Sequence, residues 1–402
     1  MNCRVCSSVT NEIQSFGRMP IANRFEKAIL KDPFRFDLET VFCESCMLFQ
    51  LTEQPKAEEM FHHNYPFFTG LSKVMRIHFE EFAYELFKEL NENSNAKVFE
   101  IGCNDGTFLD SICAAGLTGI GIDPSMNVVE KARQKNLKVL NGFFGLEKVN
   151  EILQEFGIFD AVVAANVICH IPDLVDLGKG VEQILCEDGI FIFEEPYVGS
   201  MIKKTSYDQI YDEHVYMFSA LAVQKIFARC GLKLYDVKLT DTHGGSMRYY
   251  LSKKDRKSSD NLNQVLLDEI AMNLNRVESY LDFAKSCEER RNQLSNLLRK
   301  LKSQGKEIYG YAATSKSTTV LNYCDIGPDI ITAIGDSTPN KWNTYTPGSN
   351  IPVISIDELH SKKMDFLVLF AWNHEAEIME KEQHLTSSGV KWIRFVPKVE
   401  II

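Results

Sequence analysis

From residue 96 onward the chain alternates between two kinds of segment, and this alternation restricts the fold more than any other feature. Short runs rich in Val, Ile, Phe and Gly ("KVFEIG", "TGIGID", "KVLNG", "FDAVVAAN", "GIFIFEEPY") are separated by stretches of helical character ("GTFLDSICAAG", "SMNVVEKARQK", "LVDLGKGVEQILCEDG"). Gly116 is placed to end the first helix and Ser125 to cap the second. Strands joined through helices pair in parallel, since the crossover brings the chain back to the same end of the sheet. The expected core is therefore a mostly parallel, doubly wound α/β sheet.

Two further units flank it. After Lys253 the polar stretch "KKDRKSSDNLN" reads as a linker, and a helical stretch follows over 262–303. A second α/β series comes next, with "EIYGYAA", "ITAIGDS", "FLVLFAW" and "KWIRFVP" as strands. At the other end, Cys3-x-x-Cys6 and Cys43-x-x-Cys46 supply two thiolate knuckles. Four soft ligands at this spacing make a tetrahedral structural zinc site, with no coordination position left open for chemistry. The metal would hold together a segment too small for a good core of its own. The expected domains are residues 1–56, a zinc module; 57–255, the central α/β domain; and 256–402, a C-terminal α/β domain.

Bulk properties exclude several roles. The formal net charge of −11 disfavours a nucleic-acid partner. No apolar run reaches the length of a membrane span. The start "MNCRVCSS" lacks the build of a secretory signal, so a cytoplasmic location is expected. The 11 cysteines are then thiols or metal ligands rather than disulfides. Monomer and homodimer both remain open.

The turn after the first central strand, "VFEIGCNDGTFL", points to the ligand. A dinucleotide site wants Gly-x-Gly-x-x-Gly; here the third and sixth positions are Asn104 and Thr107. The pattern is instead Glu100-x-Gly102-x-x-x-Gly106. Glycines let the backbone approach a ligand closely, and an acidic strand end suits a cationic ligand rather than a pyrophosphate. The amino-acid portion of S-adenosylmethionine is such a ligand. Asp123 ends the second strand where a carboxylate can bind ribose hydroxyls. Phe143 is placed to flank an adenine, and Asn166 and His170 fall at the carboxyl edge of the fourth strand.

These features resemble the class I S-adenosylmethionine-dependent methyltransferases, from whose usual loop Asn104 departs. The whole chain, in the order four-cysteine module, methyltransferase and C-terminal α/β domain, is similar to the sugar C-methyltransferases. The matching pieces are "MPIANRF", "NYPFFTGLS", "NVICHIPD", "YDEHVYMFS", "THGGSMRYY", "GYAATSKSTTVLNY" and "TPGSNIPV". The resemblance implies a class I methyltransferase Rossmann-like central domain and a Rossmann-like C-terminal domain. It also implies S-adenosylmethionine as cofactor. The implied substrate is a nucleoside-diphosphate 4-keto-6-deoxysugar, dTDP- or GDP-linked, methylated at C-3.

Such a reaction needs a base for the proton beside the ketone, a donor for the enolate oxygen, and an in-line approach to the methyl group. "YDEHVYMFS" lies after the fifth strand, over the ligand crevice of an open α/β sheet. His214 titrates near neutrality and is the candidate base. Tyr211 is expected to donate to the oxyanion or relay the proton, and Glu213 to orient or charge-stabilise the imidazole. The resemblance implies catalytic groups at these three positions. His170 is a second candidate base or a sugar contact. Tyr65, Ser72 and Lys73 are expected to close over the sugar diphosphate, His243 to stand on an active-site loop, and Lys316 to bring positive charge to a phosphate near a helix N-terminus. Two other readings are an O- or N-methyltransferase acting on another small molecule, and a non-catalytic nucleotide-sugar binding protein.

Overall fold

The computed structural model describes residues 1–61 and 68–402. Its strands fall into three sheets. The first belongs to the cysteine module: β1 (Asn11–Met19), β2 (Phe36–Cys43) and β3 (Leu48–Leu51) pair antiparallel in that order. Cys43 ends β2 and Cys46 lies in the turn before β3, so the hairpin itself presents the second knuckle.

The central sheet holds β4 (Lys97–Ile101), β5 (Thr118–Asp123), β6 (Lys138–Asn141), β7 (Phe159–Ala165) and β8 (Leu185–Pro196) in parallel. The short strand β9 (Tyr216–Met217) leaves this sheet and pairs with β3 of the cysteine module. The central sheet is then completed by β10 (Lys233–Thr240) and β11 (Ser246–Ser252), β11 running antiparallel to both β8 and β10. The spatial order β10-β11-β8-β7-β4-β5-β6 reverses direction beside β4, and the crevice of a doubly wound sheet opens at such a point. The expected strands are all present. The helix before β8 is shorter than expected: it ends at Ile184, and Leu185 already pairs with Phe159 across a register shift.

The third sheet orders β14 (Thr344–Tyr345), β15 (Pro352–Ser355), β13 (Ile334–Asp336), β12 (Ile308–Tyr311), β16 (Phe366–Leu369), β17 (Lys391–Arg394) and β18 (Glu400–Ile401). Strands β14, β15 and β18 add to the four expected. The helical stretch over 262–303 is two helices, Asp260–Ala271 and Val277–Ser303, because Asn273 takes a left-handed φ of 54° and turns the chain. The second helix lays Tyr280 against Phe42 and Phe49 of the cysteine module, with ring centres 4.2 and 4.9 Å away. One apolar core thus runs through all three units. Among the described residues no helix is long and apolar enough to cross a membrane.

Candidate active site

The turn after β4 is built by its backbone. Gly102 takes φ +70°, and a Cβ there would meet Val167 at 2.4 Å. Asn104 also adopts a left-handed φ, 49°, which a short polar side chain tolerates. Its N–H donates to Asp123 at 3.0 Å, and its side-chain oxygen accepts from the Thr69 backbone N–H at 3.1 Å. Asp105 takes the Gly70 N–H at 2.9 Å. The departure from glycine at position 104 therefore has a structural use: it latches the segment that leads into the helix Lys73–Glu89. Gly106 does not meet the cavity. A Cβ there would strike Leu137 and Ala132, so it serves the packing of the next helix.

At the carboxyl ends of the strands lies a cavity of about 360 Å³, lined by Gly102, Asn104, Asp123, Phe143, Asn166, His170 and His243 among others. Glu100 precedes the lining residues Ile101 and Gly102 on β4 without itself lining the cavity; it is 4% exposed, and among the described residues its Oε2 has no hydrogen-bond partner. Burial, and then the charges of Asp123 and Asp105, push its carboxyl well above the usual range. A cationic ligand would relieve that cost. Burial raises Asp123 to about 6, against hydrogen bonds from the Ser125 and Asn104 N–H groups. Asn166, at φ 57°, has a buried Oδ1 with no hydrogen-bond partner among the described residues. An acidic strand end, a carboxylate at the ribose position and Phe143 at the rim fit S-adenosylmethionine, which would be held by Glu100, Gly102, Asp123 and Asn166.

Next to this cavity lies an imidazole pair, His214 buried and His170 half-buried. His170 lines the cavity and stacks on His214 with centres 5.4 Å apart. His214 Nδ1 lies 2.7 Å from the Gln209 carbonyl, which can only accept, so Nδ1 carries the proton. Nε2 is then the acceptor for the Tyr211 hydroxyl at 2.9 Å. Burial holds His214 well below its ordinary value and His170 down to about 4, so both rings are neutral at neutral pH.

Glu213 departs from the expected role. Both His214 nitrogens are engaged by other groups, and the Glu213 carboxylate accepts from Asn23 Nδ2 at 2.6 Å. Asp212 beside it accepts from the Ala22 N–H at 2.9 Å. The acidic pair therefore ties "YDEHVYMFS" to "MPIANRF". The helix Ser315–Tyr323 pins both from the other side: Ser315 to Asn23, Thr318 to the Ala22 carbonyl and Thr319 to the Ile210 carbonyl. Three segments far apart in sequence thus meet at one seam.

Among the described residues, several buried polar atoms near that seam have no hydrogen-bond partner: Lys316 Nζ, Gln209 Oε1, Asp208 Oδ1 and His243 Nε2. Burial lowers the Lys316 ammonium from its ordinary value, against the attraction of Asp208. Burial and then the Lys316 charge hold His243 at about 3. Ser72 is otherwise employed, since its hydroxyl caps the helix Lys73–Glu89, and Lys73 is exposed at the first turn of that helix. Neither lines the cavity. Tyr65 lies outside the described residues.

Sequence reasoning did not single out Gln209, Asp208 or Asn23, each of which carries a polar contact here. Their signal was polar residues among aromatics in "SYDQIYDEH" and "IANRF". It also did not find the buried network in which Glu194 accepts from His78, Thr242 and Arg248 at 2.7–3.1 Å.

The cysteines form a closed cluster. Cys3 and Cys46 Sγ lie 3.8 Å apart, Cys6 and Cys43 Sγ 3.5 Å apart, and all four sulfurs fall within 4.8 Å of one another. Ligands about 2.3 Å from a tetrahedral zinc stand about 3.8 Å from each other. N–H groups of Gln50, Val5 and Cys46 point at these sulfurs, as donors to bound thiolates do. The four residues fit zinc.

Comparison with known proteins agrees with this geometry. Residues 3–61 match a family model described as "Putative zinc binding domain", residues 75–237 a "Methyltransferase domain", and residues 241–397 a "C-methyltransferase C-terminal domain". The chain is 27% identical over 405 residues to the C-methyltransferase NovU of Streptomyces niveus, spanning 100% of this chain and 96% of that one. Among solved structures it is similar to a magnesium protoporphyrin IX methyltransferase from Synechocystis PCC 6803 with bound SAM. That likeness has 16% identity and TM-score 0.34, covering 44% of this chain and 79% of that one. The PH0226 protein from Pyrococcus horikoshii OT3 gives 16% identity and TM-score 0.36, with 46% and 92% covered. These two likenesses are too distant to add weight. The weight rests on three matches in order along the chain: it carries a zinc-binding, a methyltransferase and a C-methyltransferase C-terminal match, and over its whole length it resembles the S-adenosylmethionine-dependent C-methyltransferases that have an N-terminal zinc-binding domain.

Proposed function

We propose that the chain methylates C-3 of a nucleoside-diphosphate 4-keto-6-deoxysugar through an enolate. One observation carries the reading: a tyrosine hydroxyl bonded to a neutral, correctly tautomeric imidazole stands one ring behind the cofactor cavity, beside buried polar atoms without protein partners. Carbon methylation requires removal of a carbon-bound proton, whereas transfer to oxygen or nitrogen needs no deprotonation at carbon. S-adenosylmethionine supplies the electrophilic methyl group when bound.

In this reading the Tyr211–His214 pair takes the C-3 proton: Tyr211 oxygen receives it while its own proton passes to His214 Nε2. The Gln209 carbonyl holds the resulting imidazolium in register through Nδ1–H. His170 and His243, which line the cavity, contact the sugar. Lys316 offers its charge to the anionic substrate, which would satisfy a buried ammonium that has no hydrogen-bond partner among the described residues. Burial of His214 disfavours a protonated resting state, so Nε2 is unprotonated at neutral pH and accepts from Tyr211.

The test separates proton removal from methyl transfer. The protein is incubated in deuterated water with S-adenosylhomocysteine and a dTDP-4-keto-6-deoxyhexose, and exchange at C-3 is followed. Wild type should exchange that proton, and with S-adenosylmethionine should add one carbon-bound methyl. Tyr211→Phe and His214→Asn should each lose exchange and turnover by about 10²–10⁴-fold while keeping cofactor affinity. Exchange unaffected by both changes would remove the dyad as base. Absence of transfer to any 4-keto sugar nucleotide would remove the substrate class.

A further inference from the structure

The C-terminal domain carries a second cluster of metal-ligating side chains, remote in chemistry from the methyl-transfer site. His360 ends the helix Ile356–His360, and Glu382 and His384 stand where the helix Glu375–Lys381 passes into Gln383–Ser387. His360 Nε2 lies 2.7 Å from Glu382 Oε2, and His384 Nδ1 lies 4.0 Å from that same oxygen. The two imidazoles meet edge to face with centres 4.6 Å apart. The three ligand atoms all fall within 4.8 Å of one another.

The carboxylate is fixed from behind. Glu382 is 1% exposed, and its other oxygen accepts from the Tyr311 hydroxyl at 2.7 Å. A ligand carboxylate held through one oxygen and presented through the other is the usual support of a metal site. The imidazoles are partly open to solvent, 30% and 56%, so an ion can enter and a water can complete its shell. The exposed Lys381 ammonium approaches Oε1, the oxygen on the Tyr311 side, at 4.0 Å, away from the imidazoles and screened by solvent.

The geometry points to a second metal site, in which His360, Glu382 and His384 bind one divalent transition ion of the zinc class. Two nitrogens and one carboxylate suit zinc, cobalt or nickel, whereas calcium and magnesium take oxygen ligands. Ligands at about 2.1 Å from a tetrahedral ion stand about 3.4 Å apart, so binding asks the exposed His384 ring to close by about 0.6 Å on the carboxylate oxygen and the His360–Glu382 pair, now at 2.7 Å, to open by about 0.7 Å. The ion would bridge Ile356–His360 to Gln383–Ser387 and, through Tyr311, brace β12, the strand that leads to Lys316.

Cobalt distinguishes this site from the cysteine cluster, because only thiolate ligands give sulfur-to-metal charge-transfer absorption. The untagged protein, with zinc in its four-cysteine site, is titrated with Co²⁺. Wild type should bind one further ion per chain, with ligand-field bands and no thiolate charge transfer. His384→Ala, a change at a largely exposed side chain, should abolish that binding and leave methyl transfer unchanged. Added Zn²⁺ should raise the melting temperature of wild type and not that of His384→Ala. No binding beyond the cysteine site, or binding and thermal response that persist in His384→Ala, would overturn the proposal and reduce the cluster to a hydrogen-bonded His–Glu pair.

Discussion

Removal of the Glu194 carboxylate should destabilise the central domain severely, and the size follows from its contacts. The side chain is fully buried at the end of β8. Its Oε1 accepts from His78 at 2.7 Å and Thr242 at 3.0 Å, and its Oε2 accepts from Arg248 Nε and Nη2 at 3.1 and 2.9 Å. Arg248 is itself 2% exposed and lies 3.4 Å above the Phe82 ring. Burial alone would raise the carboxyl, but the His78 hydrogen bond and the Arg248 charge outweigh it and hold it at about 2. From an ordinary 4.5, at about 1.4 kcal/mol for each pH unit, that is worth about 3 kcal/mol. Deleting one partner of a buried ion pair independently suggests about 3–5 kcal/mol. Glu194→Ala should therefore lower the melting temperature by about 6–20 °C, given about 2–4 °C per kcal/mol for a domain of this size. Urea titration followed by circular dichroism measures the loss. Because the native pKa is depressed, the wild-type advantage is complete above pH 4.5 and fades as pH falls towards 2. Adding Arg248→Met should recover part of the loss by removing the stranded charge, although Glu85 still reaches that guanidinium at 2.7 Å in the single variant. A loss below about 1 kcal/mol, or one that does not fade in acid, would refute the reasoning.

Two further outcomes follow from the neighbouring residues. Burial raises Glu195 to about 7, even though its Oε1 accepts the N–H groups of Val167 and Ile168 at 2.8 and 2.6 Å. Its native pKa lies above the unfolded value, so stability present below pH 4.5 is lost as pH rises through 7, by about 3 kcal/mol. In Glu195→Gln that decline should vanish, and parallel stability–pH curves for the two proteins would contradict it. Gly102→Ala should abolish S-adenosylmethionine binding, because its methyl group would meet Val167 at 2.4 Å on a backbone already at φ +70°. Calorimetric titration measures this, and affinity within twofold of wild type would show that the turn can adapt.

Much of the fold was legible because it rests on local pattern. The strands β4 to β8, β12, β13, β16 and β17 and the four-cysteine cluster appear where the sequence places them. Gly231, at φ 77°, ends the run that Ser219 caps by accepting the Ala222 N–H. Ser125 occupies its N-cap position yet makes no side-chain capping bond; its backbone N–H donates to Asp123. The break at Asn273 was missed, since helical period continues on both sides of it. Of the residues that spacing assigns to the cofactor, Gly102, Asn104, Asp123, Phe143 and Asn166 line the cavity, as does the candidate base His170, whereas Glu100 does not. Gly106 shares the motif but packs against Ala132, a difference that spacing does not encode.

The amino-acid sequence alone determined the layer architecture, the cysteine tetrad and the chemistry of the glycine turn, because periodicity and ligand spacing act over short stretches of chain. Tertiary structure decided the uses of "YDEHVYMFS". Its strand β9 joins the cysteine sheet, its acids hold Ala22 and Asn23, and its imidazole is oriented by a backbone carbonyl rather than by Glu213. Ala22 and Asn23 stand 190 residues away along the chain. A hydrogen bond is set by the group that folding brings within about 3 Å, and no local pattern names a partner so distant in sequence.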